Sequence, residues 1–159
     1  MPRLPEADQN LSMYFSLFNE VGIINQLSSS LLERHLPHGL LVSHFSVLNH
    51  LTRLGDGKTP LQMARAFQVP KTTMTHTLAG LEKAGLIRFV PNPADGRSKC
   101  VMLTEAGANV RAEAIAAMGP DVATLSAVVP PERVAAILPV LEELRRYLDS
   151  ARDAPQPPS

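Results

Sequence analysis

Residues 58–104 constrain this chain more than any other stretch. Leu61 to Phe67 carries Leu61, Met63, Ala64 and Phe67 at helical spacing and is closed by Val69-Pro70. A second helical pattern begins at once, at Lys71 or Thr72. It keeps Met74, Leu78 and Leu81 on one face as far as Ala84, with Gly85 at the expected stop. The period then changes. Leu86-Ile87-Arg88-Phe89-Val90 and Cys100-Val101-Met102-Leu103 are strand-forming apolar runs, and Pro91 to Lys99 between them is turn chemistry. The pattern predicts helix, tight turn, helix, then a two-stranded hairpin with Asp95-Gly96 at its tip.

The flanks are helical. Leu11, Tyr14, Phe15, Phe18, Val21, Leu27 and Leu31 step by three or four and predict an amphipathic helix that ends near Leu36-Pro37-His38-Gly39. A second helix follows through Phe45, Leu48, Leu51 and Leu54, with Ser43 or His44 near its start, and Gly55-Asp56-Gly57 stops it. Lys58-Thr59-Pro60 is short enough for only a strand stub or a cap. Downstream, Thr104 is the expected N-cap of a helix running through Val110, Ile115 and Met118 towards Val128, which Gly119-Pro120 should kink or split. After Pro130-Pro131 comes a last helix, with Val134, Ile137, Leu138, Leu141, Leu144 and Leu148 inward and a bend expected at Pro139. The polar, proline-rich tail from Ala151 to Ser159 reads as disordered. The expected fold is mainly α with a small β-hairpin. It is a single domain over 1–159, with a compact core at 40–104 and flanking helices at 8–36 and 105–150.

A chain of 159 residues and 17.2 kDa, with 45% hydrophobic residues, has room for one globular domain of this kind. The single cysteine cannot form an internal disulfide, and Met1 to Asn10 lacks a secretory layout, so a reducing cytoplasmic setting is expected. No apolar run approaches the ~18 residues that span a bilayer. Formal charge is neutral, at 15 Lys+Arg against 15 Asp+Glu. The neutrality is a cancellation: the net is −2 over residues 1–57, +5 over 58–99 and −3 over the remainder.

The positive block falls on the helix-turn-helix. A helix that enters the major groove needs hydroxyls, amides and cations on its outer face. Lys71, Thr72, Thr73, Thr75, His76 and Thr77 supply them here. Four threonines early in a helix oppose helix propensity, and capping by Thr72 or Thr73 accounts for only one of them. At the hairpin tip, Arg97, Ser98 and Lys99 form a basic loop able to reach an adjacent minor groove. The partner implied is double-stranded DNA.

From Leu41 to Gly107 the sequence resembles the multiple-antibiotic-resistance regulator (MarR) family of winged helix-turn-helix transcription factors. The likeness rests on Leu78-Ala79-Gly80-Leu81-Glu82-Lys83-Ala84-Gly85-Leu86-Ile87, then Asp95-Gly96-Arg97, then Leu103-Thr104-Glu105-Ala106-Gly107. The commonest wing pattern has two arginines after the aspartate, and Gly96 replaces the first. The resemblance implies a winged core flanked by N- and C-terminal dimerisation helices. It also implies a homodimer on a pseudo-palindromic operator, most often a repressor, and a small lipophilic or phenolic effector bound where the flanking helices meet the core. Long apolar stripes at both chain ends point independently to a two-fold dimer.

Rival chemistries are weaker. Gly57-Lys58-Thr59 resembles the end of a phosphate loop, but Thr52 stands where that motif needs glycine. His35, His38, His44, His50 and His76 have no cysteine or aspartate at ligand spacing, so no metal site is expected. Cys100 opens an apolar strand and reads as packing rather than a redox switch. No nucleophile, paired carboxylates or cofactor loop appears, so neither enzymatic activity nor a cofactor is expected. The competing function is a winged-helix protein-interaction module without DNA affinity.

Overall fold

The computed structural model describes residues 6–152. Its elements are α1 (Glu6–Glu33), α2 (Val42–Leu54), α3 (Pro60–Phe67), α4 (Lys71–Lys83), β1 (Ile87–Asn92), β2 (Asp95–Leu103), α5 (Glu105–Ala117), α6 (Gly119–Val128) and α7 (Pro131–Arg152). They form two compact units that divide between Ala117 and Met118. The expected class, mainly α with one hairpin, is the class observed.

In the first unit, one apolar cluster joins Val47, Leu48 and Leu51 of α2, Met63 and Ala64 of α3, Met74, Leu78 and Leu81 of α4, and Leu86, Ile87 and Val101 of the hairpin. Leu54 and Leu61, expected inward, are exposed. Leu61 sits at the second position of a two-turn helix whose buried pair is Met63 and Ala64, and Leu54 is the last residue of α2. Local chemistry sets the boundaries. Thr59 Oγ1 accepts from the Gln62 amide at 3.2 Å, and Gln62 Oε1 accepts from the Thr59 amide at 2.8 Å, with Pro60 at the first helical position. Gln68 closes α3 in the left-handed region at φ 52, the single non-glycine residue there among those described. Lys58 also pairs with Val101, so the 58–60 segment is both strand stub and cap.

The hairpin is longer than expected. Ile87 pairs with Leu103, and the ladder runs to Pro91 opposite Lys99 and Asn92 opposite Asp95, with the register broken between the last two pairs. Two polar ties fasten it to the helices. Asp56 Oδ1 accepts from the Leu103 amide at 2.9 Å, and Thr104 Oγ1 donates to the Gly85 carbonyl at 2.7 Å. Thr104 also accepts from the Gly107 amide at 3.1 Å and so caps α5. A Cβ on Gly107 would collide with the Leu86 carbonyl oxygen, so the α5 entry packs backbone on backbone.

α1 ends at Glu33, three residues before its expected limit, in two turns closed by the His35 and Leu36 amides. Its apolar stripe is open to solvent in this single chain, with Leu11 and Phe15 each 71% exposed. The second unit consists of α6 and α7. The expected helix from 105 to 128 is split at Met118, with Pro120 in the first turn of α6. α7 runs through Pro139 to Arg152, so Ala151 and Arg152 are helical rather than part of a disordered tail. Residues 153–159 of that expected tail lie outside the described residues. Val134, Ile137, Leu138 and Leu148, expected inward, are exposed here. A small apolar groove of about 330 Å³ runs between α6 and α7, lined by Val122, Leu125, Val129, Val134 and Leu138. No single helix among the described residues is long and apolar enough to cross a membrane, although α6 and α7 together reach that length and composition across a bend of 98°.

Replacing Gly107 with alanine should lower stability by roughly 1–3 kcal/mol, because the backbone it meets cannot move aside cheaply. A thermal melt within a degree of the native protein's would refute the packing ascribed to that glycine.

Candidate nucleic-acid interface

Burial of Met74, Thr77, Leu78 and Leu81 fixes which side of α4 faces out. Lys71, Thr72, Thr73, Thr75 and His76 are all exposed, as expected. Thr77 is not: it is 7% exposed and donates its hydroxyl to the Thr73 carbonyl at 3.1 Å. The reason was visible in the spacing, since Thr77 lies three residues after Met74 and beside Leu78, inside the apolar stripe. Neither Thr72 nor Thr73 is the cap. α4 starts at Lys71 behind Pro70 with no side-chain cap bond, so both hydroxyls stand in the first turn. Thr75 Oγ1 donates to the Lys71 carbonyl at 2.8 Å. Its proton is therefore engaged, and it offers outward a methyl group and acceptor lone pairs.

The wing tip is organised by its own side chains. Asn92 Oδ1 accepts from the Ala94 amide at 3.0 Å, Asp95 Oδ1 from the Arg97 amide at 3.0 Å, and Asn92 Nδ2 donates to Ser98 Oγ at 2.8 Å. Ser98 Oγ also reaches the Asp95 carbonyl at 3.2 Å. Ser98 is thus half-buried and holds the tip's shape, whereas Arg97, in the segment where the ladder register breaks, is exposed. Lys99 is exposed with its ammonium 6.0 Å from the Phe89 ring centroid. All seven bases between Lys58 and Lys99 are exposed, while Cys100, on the same strand, is buried.

A cleft of about 840 Å³ opens beside α4, between the 37–40 loop, the start of α2 and the first turns of α5. Its wall includes His38, His44, His76 and Lys83. Neither His44 nor Lys83 was assigned a role from sequence. The available signal was Gly80, since a mid-helix glycine marks a close approach by something else. Among the described residues, no three His, Cys, Asp or Glu side chains gather where they could hold a metal ion.

Two histidines are held below their ordinary range. For His44 the cause is first desolvation and then His76; for His50 it is first desolvation and then Arg53 and Lys58. As the pH falls through about 6.5 the unfolded chain takes up these protons before the folded one. Stability is therefore complete above that pH and is lost below it. The melting temperature should drop between about pH 7 and 5.5, and His50→Gln should shrink the drop. An unchanged melting temperature across that range would contradict both assignments.

The sequence pattern of the MarR family matches residues 38–98. The transcriptional activatory protein BadR of Rhodopseudomonas palustris is 25% identical over 100 residues, a match that spans 62% of this chain and 55% of that protein. Among solved structures, BldR of Sulfolobus solfataricus superposes with a TM-score of 0.70 at 22% identity, covering 92% of this chain and 99% of that one. A cysteine-to-serine variant of Escherichia coli MarR, complexed with operator DNA, superposes with a TM-score of 0.66 at 25% identity, covering 83% and 95%. Residues 38–98 are thus similar to the MarR-family pattern, and the fold around them is similar to that of the MarR structure bound to operator DNA.

Proposed function

We propose that this chain is a sequence-specific DNA-binding transcriptional regulator of the cytoplasm, acting as a homodimer on a pseudo-palindromic site. The carrying observation is the exposed face of α4, where Lys71, Thr72, Thr73, Thr75 and His76 stand clear of the core in the chain's one strongly basic segment. In this reading α4 lies in the major groove. Lys71 and Thr72 meet phosphates, Thr75 and His76 meet base edges, and Arg97 with Lys99 enters the neighbouring minor groove. Thr77 supports the helix from within, and Ser98 shapes the wing. The MarR structure bound to operator DNA supports this use of the fold.

The division of labour we infer is a reading core at 40–104 with dimerisation helices at 8–36 and 105–150. The solvent-open apolar stripes of α1 and α7 support it, since such faces are rarely left bare. A two-fold dimer sets its reading helices about 34–36 Å apart, one turn of DNA. Repression with release by a small lipophilic or phenolic acid is the mode we assign. The apolar walls of the cleft at Leu40, Ala79, Leu86 and Val110 favour such a ligand. A ligand of this kind acts by preferring one spacing of the reading helices, and only its differential affinity counts. BadR, named as activatory, is the relative that argues for the opposite sign, and a promoter–reporter assay decides between them.

Salt titration tests the function itself. Log affinity for a promoter duplex should fall against log salt with a slope of about −5 or steeper for a dimer. A flat dependence, or no binding, favours a protein-interaction module. Arg97→Ala should weaken binding by roughly 1–3 kcal/mol and leave sedimentation of the dimer unchanged. Replacing Thr75 and His76 together with alanine should erode preference for operator over random DNA more than it erodes random binding. Equal losses on both duplexes would make these residues phosphate anchors.

A further inference from the structure

Glycine in the interior of α4 costs about 1 kcal/mol relative to alanine, and the reason for Gly80 is a single side chain. A Cβ there would lie 2.8 Å from His44 Nε2, so the imidazole from the start of α2 occupies the notch that the glycine leaves. The ring is fixed at its other end. The Leu41 amide donates to His44 Nδ1 at 3.0 Å, which serves as the N-terminal cap of α2. A nitrogen that accepts this bond carries no proton, so the neutral ring has its hydrogen on Nε2, the atom facing Gly80.

Protonation is incompatible with this arrangement. A hydrogen on Nδ1 would point at the Leu41 N–H, and the cap bond would be replaced by donor against donor. Among the described residues, no carboxylate lines the cleft beside the ring. α4 contributes His76 and Lys83 to the same cleft, the 37–40 loop contributes His38, and α5 contributes the apolar Val110. The carboxylate at the end of α1, Glu33, accepts from the Val42 amide at 3.1 Å.

We propose that His44 is a proton-sensitive positioning residue for α4: its neutral ring, tethered to Leu41 and seated against Gly80, sets the pose of that helix, and protonation unseats it. This rests on α4 being the DNA-reading helix. Acidification then lowers discrimination between DNA sequences, although positive charge is being added to the protein.

The test uses His44→Gln, because a glutamine at this third helical position can accept the Leu41 amide through Oε1 and takes up no proton. The probes are a duplex selected by the full-length protein from a random library at about pH 7.5 and a random duplex of equal length. For the native chain, the affinity ratio between them should fall at least about fivefold on going to about pH 5.5. In His44→Gln the ratio should stay within about twofold. Repeating both in a His76→Gln background removes the histidine on the reading face. Gly80→Ala, which fills the notch, should show the reduced ratio already at the higher pH. In the DNA-free protein, the Leu41 amide resonance should titrate together with His44 and be flat in His44→Gln.

A native pH profile in His44→Gln overturns the proposal, as does a Leu41 amide that ignores the titration of His44. Failure to select any preferred duplex overturns it by removing DNA reading. That outcome is distinguishable, because the Leu41 amide would still follow His44.

Discussion

The burial of one stripe of α4 governs the whole first unit. Met74, Leu78 and Leu81 enter the same apolar cluster as Leu48 of α2, Met63 of α3 and Val101 of the hairpin, and Thr77 is buried on the same stripe. At roughly 1.5–3 kcal/mol for each fully buried large side chain, that packing outweighs the poor helix propensity of the threonines beside it. The exposed face of α4 is therefore free of any duty to the core. Its residues can be poor helix formers with useful hydroxyls because the opposite face supplies the stability.

A stripe of this kind fixes the rotation of α4 about its axis, and polar ties fix what surrounds it. The hairpin hangs from the helices at Asp56, Lys58 and Thr104, each bonding backbone groups far away in sequence. These bonds satisfy amides and carbonyls that a two-stranded sheet would otherwise leave open. At the far end of the hairpin the order is reversed. There the ladder register breaks and Asn92, Asp95 and Ser98 replace it with side-chain bonds, which leaves Arg97 projecting from a braced start of β2. Less ordering entropy then remains to be lost when the guanidinium meets a partner.

Most of this was legible in the sequence, for local reasons. Thr59 with Gln62 announces a helix start, Pro70 and Gly85 bracket α4, and Thr104 caps α5, all through contacts within a few residues. What escaped was of two kinds. Thr77 was assigned outward by residue type, although its place among Met74, Leu78 and Leu81 put it inside. His44 and Ser98 escaped for a deeper reason, since their roles depend on Gly80 from another helix and on Asn92 across the hairpin, partners that periodicity does not reveal. The flanking helices were legible as amphipathic while their partner was not. Their apolar faces are largely exposed among the described residues.

That mismatch is informative when set beside the charge distribution. Leu11, Phe15 and Ile24 on α1, and Val128, Ile137 and Val140 on α6 and α7, are more than half exposed. The same terminal regions carry net negative charge, and the net positive charge falls on residues 58–99. Apolar surface drives association without direction, whereas like charge opposes it where bases are dense. In the dimer we propose, two copies would therefore gain most by joining through their termini and lose most by joining through their wings. The charge that cancels in the total is thereby segregated along the sequence: the apolar stripes and the basic segment lie in different stretches of the chain.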